Sequence, residues 1–415
     1  MTQWFTESFH TEFEKQAAEL GRINLAIFGK TGVGKSTLVN AIFGEPLAAT
    51  GIGAPVTQGS HLYLDKRGTL GVIDTRGLEI GRDDTEIIKE VTKAVKELRK
   101  KPVVEQIHVA WYCIRGMDRR FEDVEETFIR TLAELDVPVL VVLTQVPTMA
   151  GRLSSAGSSA PSVASEGLAQ ARVAARPGLV YHPDAVELAR QIEARQLPIV
   201  GGRPFMTYAM RDQFTGQPSH GLMDVLAATF HVAPEAVRAA LAAAQTIDLA
   251  LKAAQSQKAI AGATAGAAAA AAVPIPFSSA AILVPIQLGM MARLAHLYGL
   301  PFDRAAMLAI ASTSVATSAG RAAAAGLLKF LPGAGTVAGG VINASVASGF
   351  TLAMGQAWLV VCQRAAAKSL PTAGGVLDTE AVKQVFEAER AKRLPRIRQK
   401  HQAVDSASPE NGRAG

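Results

Sequence analysis

Cysteine is nearly absent from this chain. Cys113 and Cys362 are the only two, which excludes a disulfide framework and leaves no thiolate cluster for zinc. Both sit among apolar neighbours and read as buried thiols. Aromatic residues are scarce too, at 6% of 415 residues, so the core relies on aliphatic side chains and, in the C-terminal half, on alanine. Charge is missing over long stretches. None lies between Ala259 and Ala292 or between Phe330 and Gln363, and 259–363 holds only Arg293, Asp303, Arg304, Arg321 and Lys329. The segment from Met1 to Glu14 is polar and lacks an apolar run, so no secretory signal is expected. The expected compartment is therefore the cytosol or the cytosolic side of a membrane. With 49% hydrophobic residues the chain has ample material for a core, and its length suits two to three folding units. A net charge of +6 permits contact with anionic lipid or nucleic acid without requiring either.

Composition divides the chain. Residues 1–20 read as a helix with Phe5, Phe9 and Phe13 on one face, more a docking face for its own protein than an anchor. Residues 21–235 alternate strand-like and helix-like patterns, the signature of an α/β domain with a mostly parallel sheet. Strands are expected at Ile23–Phe28, Leu70–Asp74, Ile107–Ile114, Val137–Leu143 and, more weakly, Pro204–Ala209. Helices are expected at 35–43, 83–100, 120–135, 184–196 and 220–230. A Ser/Ala/Gly/Pro-rich insertion occupies 148–183, where a compact domain usually carries a short loop. Residues 236–370 form a helical, all-α, Ala/Gly-rich region of hairpins. Residues 371–415 hold a charged helix from Thr379, a basic stretch from Arg390 to Lys400 and a disordered tail.

The strand Ile23–Phe28 runs straight into Gly29-Lys30-Thr31-Gly32-Val33-Gly34-Lys35-Ser36-Thr37, and a helical pattern comes next. This is G-x-x-x-x-G-K-S in its strand–loop–helix setting. Glycines at 29, 32 and 34 let successive N–H groups point inward as an anion-binding nest, and the helix N-terminus adds its positive end. Lys35 would reach the β- and γ-phosphates of a nucleoside triphosphate, and the Ser36 hydroxyl would hold Mg2+. Farther on, the strand Leu70–Ile73 ends in Asp74-Thr75-Arg76-Gly77. An Asp at a neighbouring strand tip can reach the magnesium through water, and Gly77 can offer its N–H to the γ-phosphate. Between these motifs Thr57, in a Gly/Pro-rich loop without regular pattern, is the candidate switch threonine that ligates Mg2+ when the γ-phosphate is present.

With these motifs in place, 21–235 resembles the TrmE–Era–septin class of GTPases, whose loop reads G-x-T-G-x-G-K-S-[ST]-L-[IV]-N; Asn40 belongs to the match. The resemblance implies that Gly29–Thr37 bind phosphate, that Thr57 is switch one, and that Asp74–Gly77 is switch two. GTP is the implied ligand and substrate, and Mg2+ the cofactor. Two positions depart from the pattern. In Val142-Leu143-Thr144-Gln145-Val146-Pro147, Thr144 fits the family's N/T-K-x-D base motif. Gln145 stands in the place of the base-stacking Lys, and Pro147 in that of the Asp that reads guanine. The segment Pro204–Ala209 takes the place of the second base loop, with Thr207 its nearest match. Leu78 stands where other GTPases place a water-orienting Gln, so hydrolysis is expected to be slow or completed by another group. Arg76, Arg82 or an arginine from a second protomer, docked as a homodimer through this domain, are the candidates. A carboxylate from the 148–183 insertion in place of the missing Asp, and a less selective ATPase or a binding-only relative with a soluble helical effector domain, stay open as alternatives.

In the C-terminal half two segments share one plan. Helix Ala259–Val273, break Pro274-Ile275-Pro276-Phe277 and helix Ser278–Ala292 are matched by Arg321–Leu331, Pro332–Gly335 and Thr336–Gln363. Gly262/Gly266 and Gly335/Gly339 have the spacing that lets helices approach closely. The V-P-I-P-F, L-P-G-A-G and V-I-N-A runs resemble the C-terminal domain of the YcjF-type bacterial family. That resemblance implies the cytoplasmic face of a bacterial inner membrane, with the cytoplasm as alternative, and membrane lipid as a partner beside the guanine nucleotide. Length and lack of charge point the same way. An Era-like role with RNA or the ribosome is not favoured, because no G-x-x-G between helices marks a KH domain, and nucleic acid is not an expected partner.

Overall fold

A computed structural model of the chain describes residues 2–44, 54–57, 60–75, 84–149, 180–211, 216–272, 279–300, 336–373 and 376–405, with side chains over somewhat fewer. The chain divides into two compact units, 21–248 and 1–20 together with 249–415.

The first unit is built on a seven-stranded sheet. Its strands are β1 (Ile23–Phe28), β2 (Ala54–Thr57), β3 (Ser60–Leu64), β4 (Leu70–Thr75), β5 (Val109–Arg115), β6 (Val139–Thr144) and β9 (Phe205–Met206), in the order β2-β3-β4-β1-β5-β6-β9. From β4 through β9 all neighbours are parallel, whereas β2–β3 and β3–β4 are antiparallel. The fold is that of a P-loop NTPase. Thr57, expected in an irregular loop, instead ends the edge strand β2. The short β2 and β3 carry little apolar alternation of their own, and their pairing with β4 supplies the order.

Helices α2 (Lys35–Phe43), α3 (Asp84–Arg99), α4 (Asp123–Glu134), α5 (Pro183–Ala194), α6 (Leu222–Val232) and α7 (Glu235–Ala244) complete the unit. Alternation along β1 sorts them into two layers. Ile23, Leu25 and Ile27 join Leu38, Ile42, Val225 and Leu241 in one core. Ala26 and Phe28 join Val95, Phe128, Ile129 and Leu188 in the other. Truncating any such buried leucine or isoleucine to alanine costs about 2–5 kcal/mol. Because α7 buries Val237, Leu241 and Ala244 in the first of these cores, a domain end at 235 would strip the sheet. The unit runs on to Asp248.

The insertion after β6 opens and closes as a two-residue antiparallel ladder, β7 (Thr148–Met149) on β8 (Val180–Tyr181); residues 150–179 lie outside the described residues. The expected strand at 204–209 shrinks to Phe205–Met206; Thr207 follows it, its N–H and hydroxyl both donating to the Leu143 carbonyl of β6 at 2.8 and 3.0 Å.

The second unit is helical. Its helices are α1 (Thr2–Leu20), α8 (Leu249–Ala272), α9 (Ser279–Tyr298), α10 (Thr336–Ala366) and α11 (Thr379–Asp405). The small ladder of β10 (Thr372–Ala373) on β11 (Val376–Leu377) precedes α11. Helix α1, far away in sequence, docks here. The Phe13 ring lies 4.1 Å from that of His296, and Arg293 donates to the side-chain amide oxygen (Oε1) of Gln16 at 3.4 Å. Phe5 and Phe9 lie outside the described side chains. Trp358 is fully buried, donates to the Met291 carbonyl at 3.0 Å and meets Phe386 edge-on at 6.0 Å. Helix α8 begins well before the expected Ala259, α9 carries Pro285 inside it, and α11 continues into the expected tail. The expected helix 321–331 and both Pro/Gly breaks lie outside the described residues.

Of the expected close helix approaches, Gly335 and Gly339 lie outside the described side chains, and a Cβ on Gly266 would meet Ile286 at 3.8 Å, an ordinary contact. A Cβ on Gly262 would meet nothing within 4 Å, whereas one on Gly355 would lie 2.8 Å from the Met290 sulfur and 2.9 Å from Ile260. Among the described residues one helical stretch, Ala344–Ala366, is long and apolar enough to cross a membrane, and 56% of its most apolar window is buried inside the unit.

Candidate functional site

The site lies at the C-terminal ends of β1, β4, β5 and β6, where a parallel sheet leaves its crevice. The loop leaving β1 needs its glycines for different reasons. Gly29 has φ +128°, and a Cβ there would stand 2.1 Å from the Cys113 carbonyl oxygen of β5. Gly34, at φ 94°, is the N-cap of α2. The loop is closed by Lys35, whose ammonium donates to the Gly29 and Lys30 carbonyls at 2.8 and 3.0 Å. The Lys35 charge thus lies across the loop mouth, beside the free N–H groups of a helix start. Ser36 and Thr37 lie at the start of that helix with at least part of their surface open, so both hydroxyls can reach a ligand. Thr31 and Gly32 are open to solvent as well, while Val33 is buried and anchors the loop to the core.

Thr144 and Gln145, separated from the loop by more than a hundred residues, are brought onto it. The Thr144 hydroxyl reaches the Val33 carbonyl and lies 3.2 Å from the Ile114 carbonyl. The Gln145 amide donates to the Gly32 carbonyl at 3.3 Å, from a left-handed backbone with φ 53°. Both side chains brace the phosphate loop. The Pro147 carbonyl, the only acceptor that proline offers, takes the His182 N–H at 3.0 Å. The Val146 N–H goes to the Thr207 carbonyl at 3.0 Å, and the Val146 carbonyl stands 3.0 Å from His220 Nε2. These backbone groups of Val146 and Pro147 are thus engaged in holding the β7–β8 hairpin and the loop after β9.

Backbone register sets Asp74 of β4 directly beside Ile27 of β1, two residues before Gly29, and opposite His61 of β3. Thr57 pairs with Ser60 at the same end of the sheet. The side chains of Thr57 and Asp74, and all of Arg76, Gly77, Leu78 and Arg82, lie outside the described residues.

A second anchor of the loop has no signal in the sequence. The Lys30 ammonium pairs with Glu122 at 2.7 Å, tying the loop to the start of α4. Burial lowers the Lys30 pKa, but the hydrogen bond to Glu122 and the charges of Glu125, Glu122 and Asp118 outweigh it and raise the value. Glu125 is buried behind this pair, accepting the Glu122 N–H at 2.9 Å. Burial raises its pKa against the pull of that hydrogen bond and of Lys30. The two partners of the ion pair are 92 residues apart, and no local pattern links them. Cys113 is wholly enclosed, its thiol pushed up to about 12 by burial, which removes it as a nucleophile.

Residues 24–145 match the family model described as 50S ribosome-binding GTPase. That stretch, with the sheet it builds, is a P-loop GTPase domain. No curated protein matches the chain. Among solved structures, the chain is similar to Era from Aquifex aeolicus bound to GDP and AlF4−, at 16% identity and TM-score 0.30. The match covers 52% of this chain and 58%, less than two thirds, of that one. It is similar also to a probable GTP-binding protein engB, at 23% identity and TM-score 0.23, over 29% of this chain and 70% of that one. A third likeness is to S. thermophilus NFeoB bound to GDP, at 11% identity and TM-score 0.27, over 91% and 98%.

Proposed function

We propose that the chain is a nucleotide switch that binds GTP, hydrolyses it slowly with Mg2+, and associates with a membrane through its helical unit. The observation that carries the nucleotide reading is the phosphate loop closed by Lys35 over the Gly29 and Lys30 carbonyls. An arriving phosphate replaces those carbonyls as the partner of the ammonium, while the loop N–H groups and the α2 N-terminus take its oxygens. The Ser36 hydroxyl, the Asp74 carboxylate and the Thr57 hydroxyl are hard oxygen donors of the kind that suits Mg2+, and these residues would hold it. Held there, Mg2+ would supply neutralisation of the charge that develops on the phosphates. Slowness is expected from Leu78, which has no group to orient water. Arg76, Arg82 or an arginine of a second protomer is the candidate to complete the site.

Weak base selectivity is the reading favoured at Pro147, whose carbonyl already accepts His182. Membrane association rests on the charge-poor span 259–363 and on the exposed apolar side chains Val346, Leu352 and Ile282. A bundle closed on itself is the second reading, favoured by the burial of Trp358, Cys362 and Met354. Two measurements test the proposal. Lys35→Ala should abolish binding of a fluorescent GTP analogue, and equal binding by the variant would refute the site. Full-length protein should float with liposomes and resist a salt wash, since apolar burial is not screened; release by salt would refute insertion.

A further inference from the structure

We propose that the β3–β4 hairpin is an output lever, which passes a change at the nucleotide, through Arg67, to the chain entering the helical unit. This rests on the nucleotide-switch reading above. The hairpin has two ends with different jobs. At one end Ser60 pairs with Thr75 and His61 with Asp74, next to Thr57 and beside the strand that feeds the phosphate loop. At the other end, roughly 16 Å away at about 3.3 Å per residue, the turn Asp65–Thr69 is held stiff. The Asp65 carboxylate accepts the Leu70 N–H at 2.8 Å and the Thr69 hydroxyl at 3.0 Å, and the Gly68 N–H returns to the Asp65 carbonyl at 3.0 Å. From that turn the Arg67 guanidinium donates to the Ala243 carbonyl at 3.0 Å, in the last turn of α7.

Just beyond Ala243 the chain leaves the nucleotide domain. Gln245 is wholly buried and staples the linker, accepting the Asp248 N–H at 2.8 Å and donating to the Asp248 carbonyl at 2.7 Å. The Thr246 N–H donates to the Ile42 carbonyl at 2.9 Å, at the C-terminal end of α2. The exit is therefore pinned twice. One pin is α2, whose N-terminus is the phosphate loop and whose Leu38, Val39, Ile42 and Phe43 are fixed in the core. The other pin is the tip of the hairpin that joins the two expected switch segments. A sheet ladder does not stretch, so a shift of the hairpin is delivered to Arg67 while α2 stays in place. The difference falls on Ala243–Thr246, the segment leading into α8. By linkage, a partner that restrains α8 would alter nucleotide affinity in return.

Hydrogen–deuterium exchange on the full chain, loaded with GDP or with a non-hydrolysable GTP analogue, tests this. In the wild type the two states should differ both at 21–75 and at 245–272. In Arg67→Ala the difference at 21–75 should persist, and that at 245–272 should fall to less than half. Arg67→Gln, too short to reach Ala243, should match it, and Lys66→Ala on the same turn should behave as wild type. An undiminished difference at 245–272 in both Arg67 variants overturns the lever. So does a wild type that responds at 21–75 alone. A wild type with no nucleotide-dependent difference anywhere overturns the switch reading and the lever together.

Discussion

Replacing Gly29 with alanine probes the phosphate loop where the packing is tightest. Two penalties combine. The backbone sits at φ +128°, a region that L side chains rarely adopt, at about 1–3 kcal/mol. The new Cβ would also lie 2.1 Å from the Cys113 carbonyl oxygen and 3.1 Å from its carbon. Relief requires a shift of about 1 Å, at about 1–3 kcal/mol for overpacking. Strand β5 cannot give way alone, because it is paired with β1 on one side and β6 on the other. The sum, about 2–6 kcal/mol, is a large share of the roughly 5–15 kcal/mol that holds an ordinary domain together. Gly32 is the control. Its φ is +82°, but a Cβ there meets nothing within 4 Å, so alanine costs only the backbone term of about 1–2 kcal/mol. Urea unfolding with and without nucleotide reads both effects. Gly29→Ala should lose stability and nucleotide binding together, and Gly32→Ala much less of either. Equal losses in the two variants would refute the argument that the Cys113 carbonyl shapes the loop.

Pro147→Asp should raise the preference for GTP over ATP by about 10- to 100-fold, the worth of a charge-assisted contact of about 1.5–3 kcal/mol. Competition titrations with an unchanged ratio would mean that the base does not sit at this loop. A pH effect is expected from His108, which accepts the Asn24 N–H at 2.8 Å and lies 2.7 Å from the Val103 carbonyl. Burial lowers its pKa, so the folded domain binds fewer protons there than the unfolded chain. Its contribution is therefore complete above about pH 6.5 and is lost as pH falls toward the lower folded value. Thermal midpoints of the wild type should drop between about pH 7 and pH 5, and His108→Gln should flatten that slope; an unchanged slope would count against a neutral buried imidazole.

The nucleotide domain is readable where one residue type serves one physical need. Ile23–Phe28 alternates between two cores, and the strand and helix around the loop fall at the residues that the pattern marks. Thr57 reads as loop because β2 and β3 are ordered by their neighbours rather than by their own periodicity. Nothing local announces that Thr144 and Gln145 brace the loop backbone, although the base motif singles out both positions. The Lys30–Glu122 tie and the Arg67 contact with the Ala243 carbonyl are invisible in the sequence, since each joins groups whose meeting depends on the whole sheet. Asn24 is instructive in the same way. It interrupts an apolar strand, and its amide is explained only by the Val104 and Gln106 carbonyls that it serves at 3.0 and 2.8 Å.

In the helical unit small residues remove the contrast on which periodicity depends. A helix of alanine and glycine has no strongly apolar stripe, so neither its facing nor its register can be read from spacing. Uniform small-residue surfaces also slide past one another easily, and the buried polar pairs then acquire weight. Gln287 and Thr351 are both buried, and the amide donates to the hydroxyl oxygen at 3.1 Å across α9 and α10. Thr351→Val keeps the shape but leaves a buried N–H unpaired, at about 1–3 kcal/mol. Replacing both partners, Gln287→Leu with Thr351→Val, removes the donor along with the acceptor and should recover most of that loss. The readout is thermal unfolding detected by the fluorescence of Trp358, which is buried against the Met291 carbonyl in the same unit. If the single variant melts like the wild type, the pair is not satisfying a buried group, and water must reach the seam between α9 and α10. If the double variant is no better than the single, the two residues are coupled by more than this one bond.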